Sequence, residues 1–312
     1  MTTTIDAAAG PAMGVHRFEA LQKTTPVSRA SRTGQRRALE AAIWPSRPHI
    51  AGRQSFAGAV HAEWIKLRTL TSTWVTSAIT IAITVLFGAG LAMGFAGSPD
   101  RADQAKTMIS TGSVLGMVVV AVLGALMITG EYASGQIRSS LMAVPRRGRL
   151  FAAKALVVSG FSFGLGVLCV ALAYALSYPF MKGHAGSLTD THYLGLFWGT
   201  GLVFALIALM AQGVGYLTRS TAGAITVVVS VLFVVPIPFN LMAGHWQWVN
   251  KVLGLLPDTL STAVSDPFSL AHQWGQTGTA AFLQHWQAVA VFTTWAIVPL
   301  AIAAVVFTRR DA

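Results

Sequence analysis

Acidic residues are scarce in this chain: eleven Asp and Glu among 312 residues, against 22 Lys and Arg. Charged residues of both signs make up only 11% of the sequence and apolar residues 54%. A soluble globular chain carries about 25% charged residues. The shortage excludes an ordinary soluble domain, because so much apolar surface suits lipid better than water. No acid falls in the interior of an apolar run, and Glu131 alone sits at the edge of one. An ion-coupled transporter needs intramembrane acids for its relay, so this pattern argues against one. Cysteine is nearly absent too. Cys169 stands alone inside an apolar run, which excludes an intramolecular disulfide and a site of paired thiols.

The usual signatures of catalysis are also missing. There is no G-x-x-x-x-G-K-[ST] loop to cradle a nucleotide's phosphates and no H-E-x-x-H pair for zinc. The eight histidines never stand four residues apart; His184 and His192 share one loop, where histidine is ordinarily solvated. Serines are plentiful, but none is read as the nucleophile of a strand-turn-helix elbow. The net charge of +11 does not imply nucleic acid as a partner, because the cations gather at the ends of apolar runs and not along one soluble face.

What is present is a series of long apolar runs. A spanning helix needs roughly 20 apolar residues, and six segments qualify: about 73–94, 108–130, 151–179, 194–217, 221–241 and 287–308. The fold class expected is an all-α integral membrane protein. The third run is longer than a bilayer requires, and is expected to tilt or to continue beyond it. The fifth carries Pro236 and Pro238, which remove backbone donors, so it is expected to kink or end there. Residues 1–54 are rich in Ala, Ser, Thr, Arg and Pro and read as a disordered basic tail. Their acid-poor composition also resembles an organellar transit peptide. The domain expected to cross the membrane is 55–312. Its first apolar run begins too late in the chain for a cleaved secretory signal.

Lys and Arg counts set the orientation. Ten cations precede the first run, five lie from the end of run two to the start of run three, one lies between four and five, and two follow the sixth. The opposite side has only Arg101, Lys106, Lys182 and Lys251. Both termini are therefore expected in the cytoplasm. The stretch 243–286 carries Trp246, Trp248, Trp274 and Trp286, suited to an aromatic belt. Val249, Val252, Leu253 and Leu256 recur at helical spacing, which predicts a short helix in the outer leaflet; a plain extracellular loop is the alternative. Small-xxx-small pairs at Gly90/Gly94, Gly112/Gly116, Gly160/Gly164 and Gly195/Gly199 let helices approach closely and are read as packing.

Two stretches hold the remaining charge. The first, Phe56 to Trp74, places Phe56, Val60, Trp64 and Leu67 on one helical face, with Glu63, Lys66 and Arg68 polar. This spacing predicts an amphipathic surface helix whose cations reach lipid headgroups; simple anchoring is the bland alternative. The second is "GEYASGQIRSSLMAVPRRGRLFAAKAL", Gly130 to Leu156. It has one acid, Glu131, and the cations Arg138, Arg146, Arg147, Arg149 and Lys154. Ile137, Leu141 and Val144 fall at helical spacing, so a helix is expected from Glu131 to Pro145, where proline stops it. Glu131 would then sit at the positive end of its dipole. Either this is a solvated loop, or it is a surface on which another protein pushes.

These two motifs, "EWIKLRTLTSTW" before the first run and the Gly130–Leu156 stretch after the second, resemble the ABC-2 family of ABC transporter permeases, its actinobacterial members above all. The shared pattern is an acid, a glycine, an apolar helical stretch and a proline: Glu131, Gly135, Ile137, Leu141 and Pro145, with Tyr132 and Arg138 among them. The resemblance covers about residues 56–310. It implies the membrane subunit of an exporter, paired with a second copy or paralogue and resting on a separate ATP-binding subunit that supplies ATP and Mg. It implies that the segment holding Glu63, Trp64, Lys66, Leu67 and Arg68 is a connecting helix, and that Glu131–Val144 is a gating helix against the ATPase. The runner-up is a membrane anchor or sensory subunit that moves no substrate. No cofactor, metal or catalytic residue is expected in this chain.

Overall fold

The computed structural model describes residues 55–97, 104–144, 146–181, 189, 191–243, 245–266 and 283–309. The chain divides into two units, residues 1–53 and 54–312, and all described residues belong to the second. The expectations for the tail at 1–54, for Pro145 and for Trp274 lie outside the described residues.

Helices make up the described fold, without strands. A short helix, α1 (Phe56–Thr69), is capped by Ser55, whose hydroxyl accepts the Gly58 amide at 3.0 Å. This satisfies one of the orphan donors of the first turn. Then come α2 (Thr71–Ala96), α3 (Ala105–Thr111) and α4 (Ser113–Ser134), with α5 (Gln136–Ala143) and α6 (Arg147–Ser177) following. After these run α7 (Thr191–Thr218), α8 (Thr221–Val229), a π-helical turn at Ser230–Val234, α9 (Pro236–Met242), α10 (Gln247–Gly254), α11 (Pro257–Ser265) and α12 (His285–Arg309). Six segments are long and apolar enough to cross a membrane: Thr71–Ala96, Ala105–Ser134, Arg147–Phe180, Thr191–Thr218, Thr221–Met242 and His285–Arg309. They coincide with the six apolar runs and extend past most of their ends, because a helix does not stop where hydrophobicity does.

The centre of the bundle is α7, which packs on α6, α4 and α12. Close approach explains its composition. A Cβ on Gly124 of α4 would stand 2.3 Å from the Ala208 carbonyl of α7, so only glycine lets the two backbones meet. Of the glycine pairs, Gly112 and Gly116 pack tightly against Thr84, whereas Gly90, Gly94, Gly160 and Gly164 face open space.

The fifth span does not end at its prolines. Val235 donates to Ser230 O at 2.8 Å, an i→i+5 bond, and α9 starts at Pro236. The π turn takes up the register mismatch where the proline lacks its N–H. The described part of the segment between spans five and six forms two helices, α10 and α11. Val249, Leu253 and Leu256 of the α10 region are buried against Phe239, Met242, Ala243 and Trp295. Leu260, Ala263 and Val264 of α11 are fully buried against α7 and α12. The absence of a side chain at Gly199 leaves room for the Val264 carbonyl. Trp246, Trp248 and Trp286 are exposed, as interfacial tryptophans are.

Candidate functional site: a buried ion cluster at one end of the bundle

The C-terminal end of α4, the N-terminal end of α6 and the short helices α1 and α5 meet at one end of the bundle. Four ionised side chains converge there. Lys154 Nζ on α6 donates to Glu63 Oε2 on α1 at 2.5 Å and to Glu131 Oε1 on α4 at 2.6 Å. Lys66 Nζ on α1 donates to the same Glu131 oxygen at 2.5 Å, to Ser140 Oγ on α5 at 3.1 Å and, more distantly, to Glu63 Oε1 at 3.4 Å. Lys154 is fully buried, and Glu63 and Glu131 are 3% and 4% exposed. Two carboxylates and two ammoniums balance in charge, and this permits burial. Burial by itself lowers the pKa of the Lys66 ammonium. The hydrogen bond and charge of Glu131, followed by those of Glu63, outweigh it, so the net shift is upward.

The geometry corrects two sequence expectations. On α1, the face turned inward is Ala59, Glu63 and Leu67, while Phe56 and Trp64 are exposed. The polar residues Glu63 and Lys66 point at the protein, and only Arg68 among the three charged positions is exposed. Trp64 rests beside Phe161 of α6 with ring centroids 6.3 Å apart. The stripe is split: Phe56 and Trp64 face outward, while Leu67 is fully buried and Val60 packs on the core, because α1 turns Glu63 towards the charged surface on α4 and α6. The second correction concerns Glu131. It does not open a new helix. It lies in the last turns of α4, where the helix dipole is unfavourable to an anion, and Lys154 and Lys66 supply the compensation. The helix ends at Gly135, whose φ of +71° is the left-handed conformation that glycine adopts without a Cβ penalty. Gly135 N donates to Tyr132 O at 3.3 Å, and α5 begins anew at Gln136.

Once begun, α5 docks through the residues that the spacing singled out. Ile137 is buried with Ile128, Leu150, Phe151, Tyr216 and Phe307, and Leu141 and Val144 pack on the same cluster. Arg138, Ser139 and Met142 face outward, Met142 being 78% exposed. Tyr132 stacks edge-on to Tyr216 at 6.5 Å, and the Arg219 guanidinium lies 5.3 Å from the Tyr132 ring centroid. Thus α5 is held from two sides, by aromatic packing beneath and by the Ser140–Lys66 bond to α1.

Three participants are not given this role by the sequence: Lys154, Ser140, whose serine pair is expected to face outward, and Tyr216. Lys154 had a signal, since it lies inside the third apolar run and an ionisable residue there needs a partner. Ser140 and Tyr216 had none. A further spacing, Gly160-Phe161-Ser162-Phe163-Gly164, matches G-x-S-x-G. It lies within α6 with Ser162 fully buried, so it is not a nucleophile elbow, which requires a strand-to-helix turn. Among the described residues no group of three or more His, Cys, Asp or Glu could hold a metal ion.

No curated protein matches the chain. A family model described as ABC-2 family transporter protein matches residues 59–312, taking in most of α1, all six spans and the whole ion cluster. The chain therefore belongs to the ABC-2 transporter family and is a multi-pass membrane permease component of an ABC transporter.

Proposed function

We propose that the chain is the permease subunit of an ATP-driven exporter, and that the unit formed by α1, α5 and the ion cluster receives the push of a separate ATP-binding subunit. One observation carries this reading. The cluster joins two short helices outside the spans, α1 and α5, to the ends of α4 and α6 through bonds of 2.5 to 3.1 Å. A displacement of α5 or α1 is thereby transmitted to two membrane helices, because buried charges that separate lose their compensation. The exposed Arg138, Ser139 and Met142 form the surface on which the partner would act.

In this reading ATP and Mg bind the partner, the permease works with a second copy or paralogue, and the ion-cluster end faces the cytoplasm of a bacterial cell. Among the described residues, seven arginines lie at that end: Arg68, Arg138, Arg146, Arg147, Arg149, Arg219 and Arg309. That placement supports the orientation. The test is reconstitution of the permease with its ATP-binding subunit in vesicles. ATP-driven flux, and ATPase turnover that depends on the permease, are expected. Assembly without any flux or stimulation would favour an anchoring subunit instead.

A further inference from the structure

Both α8 and α12 pack on α7, and between them lies a groove of about 430 Å³. Val214 and Leu217 of α7 form its floor, Val228 and Val231 of span five one wall, and Val298 and Ile302 of α12 the other. The walls are irregular where they line it: Val231 belongs to the π turn, and Pro299 interrupts α12. The lining offers nothing polar. Its Thr294 spends its proton on Ala290 O at 2.9 Å within α12, and its Trp295 donates Nε1–H to Leu255 O at 2.9 Å. Whatever fills the groove is held there by apolar contact.

Length and depth narrow the choice. Along α12 the lining runs from Val291 to Ile302, which is about 16 Å at 1.5 Å per residue. That is about half of a ~30 Å hydrocarbon core, the depth of one leaflet. The half concerned is the one nearer the ion cluster, since Leu217 is one residue from the end of α7. Cations stand at that end of the groove. Arg219 follows Leu217 by two residues, in the turn between α7 and α8. Arg309 lies two helical turns beyond Ile302 on the same face of α12. Both are exposed, and the ion pairs of the described residues involve neither. The Arg219 guanidinium lies over the Tyr132 ring at 5.3 Å, and a stacked guanidinium keeps its edge free to donate to a phosphate.

We propose that the groove holds one acyl chain of an anionic phospholipid, taken from the leaflet around the ion-cluster end, with its phosphate at Arg219 and Arg309. An apolar lining one leaflet deep takes the chain, and two cations at its end take the charge. A second copy of this chain fits less well. Lying the same way up in the membrane, it would bring its own basic end level with Arg219 and Arg309, and like charges repel.

The experiment offers the full chain in detergent micelles equimolar phosphatidylglycerol and phosphatidylcholine with identical oleoyl chains, and counts retained lipids by native mass spectrometry. One phosphatidylglycerol per chain is expected, preferred by roughly tenfold or more, the scale of two arginine contacts. Arg219→Gln combined with Arg309→Gln is expected to cut the preference to about twofold or less. Should that variant misfold, Arg309→Gln alone, at the exposed end of α12, is expected to lower it about fivefold. Val298→Trp fills the groove from its lipid-exposed wall, leaves both arginines in place and is expected to abolish retention of this lipid. Equal retention of the two lipids overturns the proposal. So does a phosphatidylglycerol preference that survives Val298→Trp, which would put the lipid on the basic surface and not in the groove. A dimer that Val298→Trp dissociates, with no lipid retained by the parent, would assign the groove to a second copy and overturns it as well.

Discussion

Lys154 on α6 and Glu131 on α4 meet at 2.6 Å, and the same ammonium reaches Glu63, 91 residues earlier in the chain. One buried cation thus locks a helix outside the spans to two helices within them.

Truncating that cation leaves two buried carboxylates sharing Lys66, whose side chain is 24% exposed. Lys154→Met is expected to destabilise the fold by about 3–5 kcal/mol, the cost of an uncompensated buried charge. Glu131→Gln combined with Lys154→Met is expected to recover part of that loss, because the two residues share one interaction. Thermal unfolding of the detergent-solubilised variants measures both. Additive losses would show that the pair does not interact.

Gly135 separates α4 from α5 at φ +71°. A left-handed residue other than glycine costs about 1–2 kcal/mol, and asparagine less than alanine. Proline, fixed near −65°, cannot adopt this angle at all. Stimulation of the partner ATPase is expected to fall in the order glycine, asparagine, alanine, proline, while membrane insertion persists in the first three. Equal stimulation across the series would mean that α5 is a solvated loop with no part in coupling.

The pH dependence of the cluster has a definite sign. Lys66 has its pKa raised above 10.5 in the folded protein, burial opposing and Glu131 and Glu63 prevailing. A raised ammonium pKa contributes stability that is complete below the unfolded value and is lost as pH rises through the folded one. Wild-type protein is therefore expected to lose Tm more steeply than Lys66→Met above about pH 10.5. Below that pH the two curves should run parallel. The exposure of Lys66 makes the difference modest.

Orientation is open to a direct measurement. Reporter fusions after Gly97 are expected to read outside, and those after Arg149 and Arg219 inside. An outside signal at Arg149 would invert the whole arrangement, and with it the side on which an ATPase can act.

Much of the architecture was legible before any coordinates. Six runs of apolar residues suffice to specify six helices, because backbone groups in lipid have no other way to pair. Ile137 and Leu141 were legible as docking residues through their spacing. The face of α1 was not. Phe56, Val60, Trp64 and Leu67 form one stripe at helical spacing, and Ala59, Glu63 and Leu67 form another; periodicity cannot choose between them. The choice falls to what lies opposite. Lys154 and Glu131 present charge, so the stripe that carries Glu63 turns inward, Leu67 with it, and Phe56 and Trp64 are left outward. Nor could spacing show that Glu131 ends a helix, since that depends on a left-handed Gly135, or that α11 is buried, since that depends on the gap at Gly199. Local hydrophobicity is enough to set the number of apolar spans and the two polar stretches. Which charges meet is settled by packing alone, because Glu63, Lys66, Glu131 and Lys154 are brought together by helix packing across long separations, and a buried charge is stable only where its counter-charge has been delivered.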